Sequence, residues 1–129
     1  ATGSKVSIFF TFWGLNVIKK KHGPAVKKTL TEKMFAHMLP KSSDSLALSK
    51  MNMMGMGSKM IRGIMKKKNI DSLESLIRQA MDNGVEFIAC QMTMDMMGIK
   101  KEELLDGVTV GGVASYMQKA EEAGVNLFI

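Results

Sequence analysis

The stretch QAMDNGVEFIAC, residues 79–90, runs from polar helix-forming residues through a glycine into a short apolar segment that ends on a cysteine. Upstream, Leu73, Leu76, Ile77, Ala80 and Met81 recur at the spacing of one helical face. Gly84 stands where a helix commonly ends in a left-handed residue. VEFIACQ is then too short for another helix and apolar enough for a strand covered on both faces. The same grammar of helix, glycine and strand returns in KAEEAGVNLFI, residues 119–129. ATGSKVSIFF, at the start, looks like the tail of a third such unit, with a strand over Lys5–Phe12. Helix–strand alternation of this kind predicts an α/β domain of three layers, a mainly parallel sheet with helices on both faces. Because the first unit shows only its tail and the chain lacks an initiating Met, a helix is expected before residue 1. The chain therefore reads as one N-terminally incomplete domain over 1–129.

The segments between these units are less regular. Gly14 and Asn16 interrupt the first strand, and LNVIKKK reads as a short helix. His22–Lys33, with Gly23-Pro24, reads as a basic loop, and EKMFAHMLP as a short apolar piece ended by Pro40. Serines or Asp44 near 42–45 are candidate helix caps, as is Ser58. Met60, Ile61, Ile64 and Met65 then share one helical face, with Lys59, Arg62, Lys66 and Lys67 mostly off it, and Gly55 and Gly57 are expected to interrupt the helix. Asp71 and Glu74 have the spacing of a capping box. Thr93 is the expected cap of a short helix, TMDMMG, closed by Gly98. KKEELL reads as a further short helix and GVTVGG as a brief strand. Val113, Tyr116, Met117 and Ala120 form the face of a helix closed by Gly124.

At 129 residues and 46% apolar composition the chain can bury one core and is too apolar to be disordered. It has no apolar run long enough to cross a bilayer and no signal peptide. One cysteine allows no internal disulfide, which makes a reducing cytoplasm the default location. The charge is lopsided: residues 1–70 hold 14 Lys and Arg against two acids, whereas residues 71–129 hold four against ten. Such asymmetry points to an acidic partner, an anionic surface, or opposite faces docking in an oligomer. Methionine is also abundant, with 14 residues against one Trp and one Tyr.

Cys90 is the first candidate for chemistry. It falls at the carboxyl end of an expected central strand, just before an expected helix, where open α/β sheets bind ligands and where a helix terminus favours thiolate over thiol. The competing reading is plain packing, since a free cysteine is among the residues most often buried. His22 and His37 carry no mark of a catalytic role. The absence of CxxC, HxxxH or clustered carboxylates gives zinc and magnesium no support, and Met spacing in MNMMGMG and MTMDMM suits Cu(I) no better than it suits packing. No metal and no cofactor is expected. GMGSK and GVTVGG lack the spacing of a phosphate-binding loop. The basic runs KKKHGPAVKK and MKKK lack the interleaved aromatics of a nucleic-acid surface, so no nucleic-acid partner is expected. Residues 45–68, basic and methionine-rich, suit a docking surface for a partner helix or a membrane surface.

Together FFTFWGLNVIKK, EKMFAHMLPKSSDSLALSKMNMMGMGSKMI and GVEFIACQMTMDMMGIKKEELLDGVTVGGVASYM resemble the DsrE/DsrF-like family, in its methionine-rich branch labelled sulfurtransferase or peroxiredoxin-like. The resemblance covers nearly the whole chain, and its most specific blocks are ACQMTMDMMGI and SKMNMMGMGSKMI. It implies a three-layer α/β fold whose first strand and helix are not in this chain, assembled as a homo-oligomer. It further implies an intracellular sulfur carrier or sulfurtransferase that takes sulfane sulfur as a persulfide on Cys90. Sulfur donor and acceptor proteins, rhodanese-like or TusA-like, are the implied partners. Two other readings stand beside it. One is a non-enzymatic binding module that uses segment 45–68 to dock a partner or membrane surface. The other is a thiol peroxidase, which with one cysteine needs an external thiol to resolve its sulfenic acid.

Overall fold

The computed structural model describes residues 2–21, 23, 27–48 and 53–129. Four strands form one sheet: β1 (Val6–Phe10), β2 (Glu86–Cys90), β3 (Thr109–Gly111) and β4 (Val125–Phe128). Their order is β3-β2-β1-β4 and every pairing is parallel. Around the sheet lie α1 (Leu30–Met38), α2 (Met56–Lys67), α3 (Leu73–Asp82), α4 (Gln91–Met97) and α5 (Val113–Glu122). The fold is the expected α/β arrangement with helices against both sheet faces. The central pair β1–β2 is apolar on both sides because both sides are covered.

Pleating sorts the strand residues between two cores. In register, Ile8 faces Phe87 and Phe10 faces Ala89, while Phe9 faces Ile88. Phe10, Phe87 and Ala89 pack with Ile77 of α3, with Met94 and Met97 of α4, and with Leu15 and Ile18. Phe9, Ile88 and Cys90 pack on the opposite face with Tyr116 of α5. Phe9 stacks on Tyr116 with ring centroids 4.9 Å apart. Burying a side chain such as Ile88 stabilises by about 1.5–3 kcal/mol. The second core is the smaller, so its few side chains carry that face.

Several local expectations need correction. The segment after β1 is a 3-10 helix over Phe12–Ile18, beginning earlier than LNVIKKK, and Lys19 is extended and bridges Leu104. The basic loop ends sooner than Lys33, because Thr29 and Glu32 form a capping box that starts α1 at Leu30. His22 and the Pro24 half of Gly23-Pro24 lie outside the described residues. Ser43–Ser45 form only a single 3-10 turn. Ser58 does not cap α2; the helix starts at Met56 behind Gly55, whose φ of 96° is left-handed, and Gly57 lies inside it without interrupting it. Buried Ser58 instead accepts from the Leu48 amide at 3.3 Å. Ser72, not Asp71, caps α3 by accepting from the Ser75 amide, while Asp71 accepts from Gln79. KKEELL shrinks to a 3-10 turn over Lys101–Glu103. Ala123 ends α5 in extended conformation. Gly84 and Gly98 are left-handed, as their expected places after helices require.

The stripes predicted to face a core are only half used. Ile77 and Tyr116 are buried, but Leu73, Leu76, Val113, Met117, Met60 and Ile64 are exposed. No residue of α1 is buried. Among the described residues, no helix is long and apolar enough to cross a membrane.

Candidate functional site

Cys90 ends β2, and its register partner is Gly111, the last residue of β3. The two connections leaving these adjacent strands go to opposite faces. α4 carries Met94 and Met97 into one core, and α5 carries Tyr116 into the other. Cys90 therefore stands at the carboxyl edge of the sheet, the edge where open α/β sheets bind their ligands, while the strand order itself reverses between β1 and β4.

The local reason for its placement is the abrupt change from strand to helix. α4 begins at Gln91, so Cys90 is the N-cap residue, a position ordinarily held by Ser, Thr, Asp or Asn. Thr93, the expected cap, is instead the third residue of the helix. It is 0% exposed, and its hydroxyl lies 2.9 Å from that of Thr11. Thr11 directly follows β1, and its amide donates to the Ile129 carbonyl at 2.7 Å. The hydroxyl pair thus ties the end of β1 to the first turn of α4.

Cys90 is 3% exposed and belongs to the smaller core. That burial pushes its thiol pKa up, yet the net shift is downward. The opposing causes, in order, are the Thr93 hydroxyl, the Thr93 amide, the Thr11 hydroxyl and the Met92 amide, all donors that favour a thiolate. The sulfur makes no full capping hydrogen bond, so these donors act on it chiefly as oriented partial charges. Packing and thiolate stabilisation, posed as alternatives by the sequence, coexist at one residue.

The flanks of this edge are exposed and largely apolar. Phe12, Trp13 and Met92 project to solvent, with Trp13 66% exposed, and Gly112 and Val113 follow the end of β3. Phe12 holds φ at 42°, an uncommon conformation for an aromatic residue. His37 is exposed on the last turn of α1 and forms no hydrogen bond or ion pair among the described residues. Thr11 and Thr93 are the residues that sequence reading missed as partners of Cys90. Their 82-residue separation hides the contact, and only the spacing of Thr93 three positions after Cys90 was a usable signal.

A concave region of about 620 Å³ lies away from Cys90, between α3 and the segments around Lys19 and Ser43. There Lys21 pairs with Asp44 at 2.8 Å, and Ser43 donates to Glu74 at 3.0 Å. The Lys21 and Ser42 hydrogen bonds hold the Asp44 carboxyl down at about 2. Lys19 is nearly buried, with Nζ donating to the Pro40 carbonyl at 3.0 Å, and burial lowers its pKa. These groups satisfy one another and read as a structural network.

The profile of the DsrE/DsrF/DrsH-like family matches residues 1–128. The chain is 50% identical over 125 residues to the uncharacterized protein YrkE of Bacillus subtilis strain 168, covering 97% of this chain and 78% of that one. It is 36% identical over 130 residues to the sulfur carrier protein DsrE2 of Allochromatium vinosum, covering 100% of this chain and 82% of that one. The chain belongs to the DsrE/DsrF/DrsH-like family.

Proposed function

We propose that this protein is a sulfur carrier or sulfurtransferase in which Cys90 accepts sulfane sulfur as a persulfide and hands it to a partner protein. The observation that carries the reading is the position of the lone thiol: at the carboxyl edge of the sheet, at the head of α4, among four donors that favour its thiolate. Kinship with a protein named as a sulfur carrier supports the same chemistry. In the loading step the Cys90 thiolate attacks the terminal sulfur of a donor persulfide, R–S–SH. A new S–S bond forms on Cys90, the donor's S–S bond breaks, and R–S⁻ leaves while the proton stays with the transferred sulfur. No external oxidant or reductant is consumed. The donor and acceptor are proteins of rhodanese-like or TusA-like kind, the working form is a homo-oligomer, and the setting is the reducing cytoplasm, where a single thiol stays free.

Intact-mass measurement after brief exposure to polysulfide, comparing wild type with Cys90→Ser, tests this. One added sulfur atom on the wild type alone is the expected result. A folded wild type that gains none, from polysulfide or from a persulfidated donor protein, overturns the reading.

The second reading, a docking module over 45–68, is favoured by the outward display of Met56, Met60 and Ile64 on α2 beside Lys59, Lys66 and Lys67. Residues 49–52 of that segment lie outside the described residues. Charge reversal at Lys66, Lys67 and Lys68 abolishes partner or vesicle binding on this reading and leaves Cys90 loading untouched. Unchanged binding excludes it.

A further inference from the structure

Two hydroxyls at hydrogen-bond distance share two protons. Thr11 and Thr93 lie 2.9 Å apart, and whichever donates to the other leaves one proton unspent. Neither side chain has another hydrogen-bond partner among the described residues. Thr93 is 0% exposed, so when half-buried Thr11 donates to it, the Thr93 proton has no solvent partner. Both hydroxyls belong to the cluster at Cys90: Thr11 follows the Phe10–Ala89 register pair into the place beside Cys90, and Thr93 is the third residue of the helix that Cys90 begins. Fixed on one side by the Ile129 carbonyl and on the other by α4, the pair holds its place whether or not sulfur is bound.

Donors that stabilise a thiolate have two opposite kinetic effects. Each thiolate becomes a weaker nucleophile, a loss that the larger ionised fraction offsets during attack, and it becomes a better leaving group with no such offset. Loading uses Cys90 as nucleophile, and unloading uses it as leaving group. We propose that the Thr11–Thr93 hydroxyl pair is a positioning element that makes Cys90 a good leaving group, so that the site is built to release sulfur to an acceptor thiolate rather than to store it. In the release step an acceptor thiolate R′–S⁻ attacks the outer sulfur of Cys90–S–SH. The new S–S bond forms on the acceptor as R′–S–SH, the Cys90 S–S bond breaks, and its electron pair returns to Cys90 as the thiolate that the hydroxyl pair receives. This inference rests on the carrier reading above.

The test has two readouts on the full chain. The first is pH titration of thiolate absorbance, blanked with Cys90→Ser, which needs no reagent to reach the sulfur. The second is release of loaded sulfur to cyanide, counted as thiocyanate. Thr93→Val is expected to raise the titration midpoint and slow release several-fold. Thr11→Val is expected to act in the same direction to a smaller extent, and Thr93→Ser to restore wild-type values in both. A merely structural role would lower thermal stability without moving the midpoint. If Thr93→Val does not fold, Thr93→Ala and Thr11→Val carry the same expectation. Unmoved midpoints in the folded variants overturn the proposal, as does a raised midpoint with undiminished release. If the wild type never carries sulfur, the carrier reading fails and takes the release step with it, while the titration still reports on the hydroxyl pair.

Discussion

Cys90 reconciles two demands that usually conflict. A sulfur inside an apolar cluster costs free energy to ionise, yet four donors around it more than offset that cost and lower its pKa. The sign of the linkage follows. An acid whose native pKa lies below its unfolded value binds fewer protons when folded, so stability rises with pH between the two values. It is lost again as pH falls through the native value. The wild type is therefore expected to gain stability over Cys90→Ala as pH climbs from the native thiol pKa toward the ordinary value of 9.0. Denaturant midpoints of both proteins across that window check it, since all other titrations cancel in the difference. A difference independent of pH would contradict the depressed thiol. Phe12, one residue beyond Thr11, adds to the picture: its φ of 42° is backbone strain held at the same edge as the thiol.

At the scale of elements, α1 is the informative case. No residue of it is buried, so packing contributes little to its formation and its cap must contribute more. Thr29 accepts from the Glu32 amide, and the Glu32 carboxylate accepts from the Thr29 amide at 2.8 Å. The same carboxylate lies 3.7 Å from Lys100. Its methylenes occupy the space that any side chain at Gly98 would need, so the cap of α1 also docks the end of α4. Thr29→Ala is expected to cost about 1 kcal/mol. Hydrogen exchange should show the loss confined to α1, with β1 and β2 protection unchanged. Equal loss across the sheet would show that α1 is integral to the core. Nearby, Lys28 and Glu103 form a well-covered ion pair at 2.8 Å that ties the approach to α1 to the turn before β3.

For the whole molecule, charge and apolar exposure are distributed unevenly. The basic half includes α1 and α2, which display Leu30, Met34, Met38 and Met60 outward, while the acidic half supplies three of the four strands together with α3, α4 and α5. β4 lies at one sheet edge with Val125, Leu127 and Phe128 exposed. If segment 45–68 docks an anionic surface, its attraction is expected to weaken as salt shortens the screening length from about 10 Å at 0.1 M to about 3 Å at 1 M. Cosedimentation with anionic vesicles across that range, with the Lys66, Lys67 and Lys68 reversals as controls, measures it. Binding that ignores both salt and charge reversal would assign the surface to apolar contact alone.

Much of the architecture was legible in the chain because parallel strands covered on both faces must be short and apolar, and their helices must end before them. VEFIAC, VNLFI and KVSIFF obey that rule, and Gly84 and Gly98 mark turns that only a left-handed residue makes easily. The candidate thiol was legible for the same reason: a cysteine at the end of such a strand has one place to be. The beginnings of α1, α3 and α4 slipped by one to four residues, because Ser and Thr serve equally as caps, interior residues and turn formers, and neighbours remote in sequence choose among these roles. Ser58 and Thr93 both became buried hydrogen-bonding groups inside helices instead of caps. Composition and period by themselves determined an α/β domain with Cys90 at a strand end. Only the tertiary structure brought Thr11 to Thr93, because that contact forms when β1 pairs with β2 across the long excursion through α1, α2 and α3, and no local pattern records such a pairing.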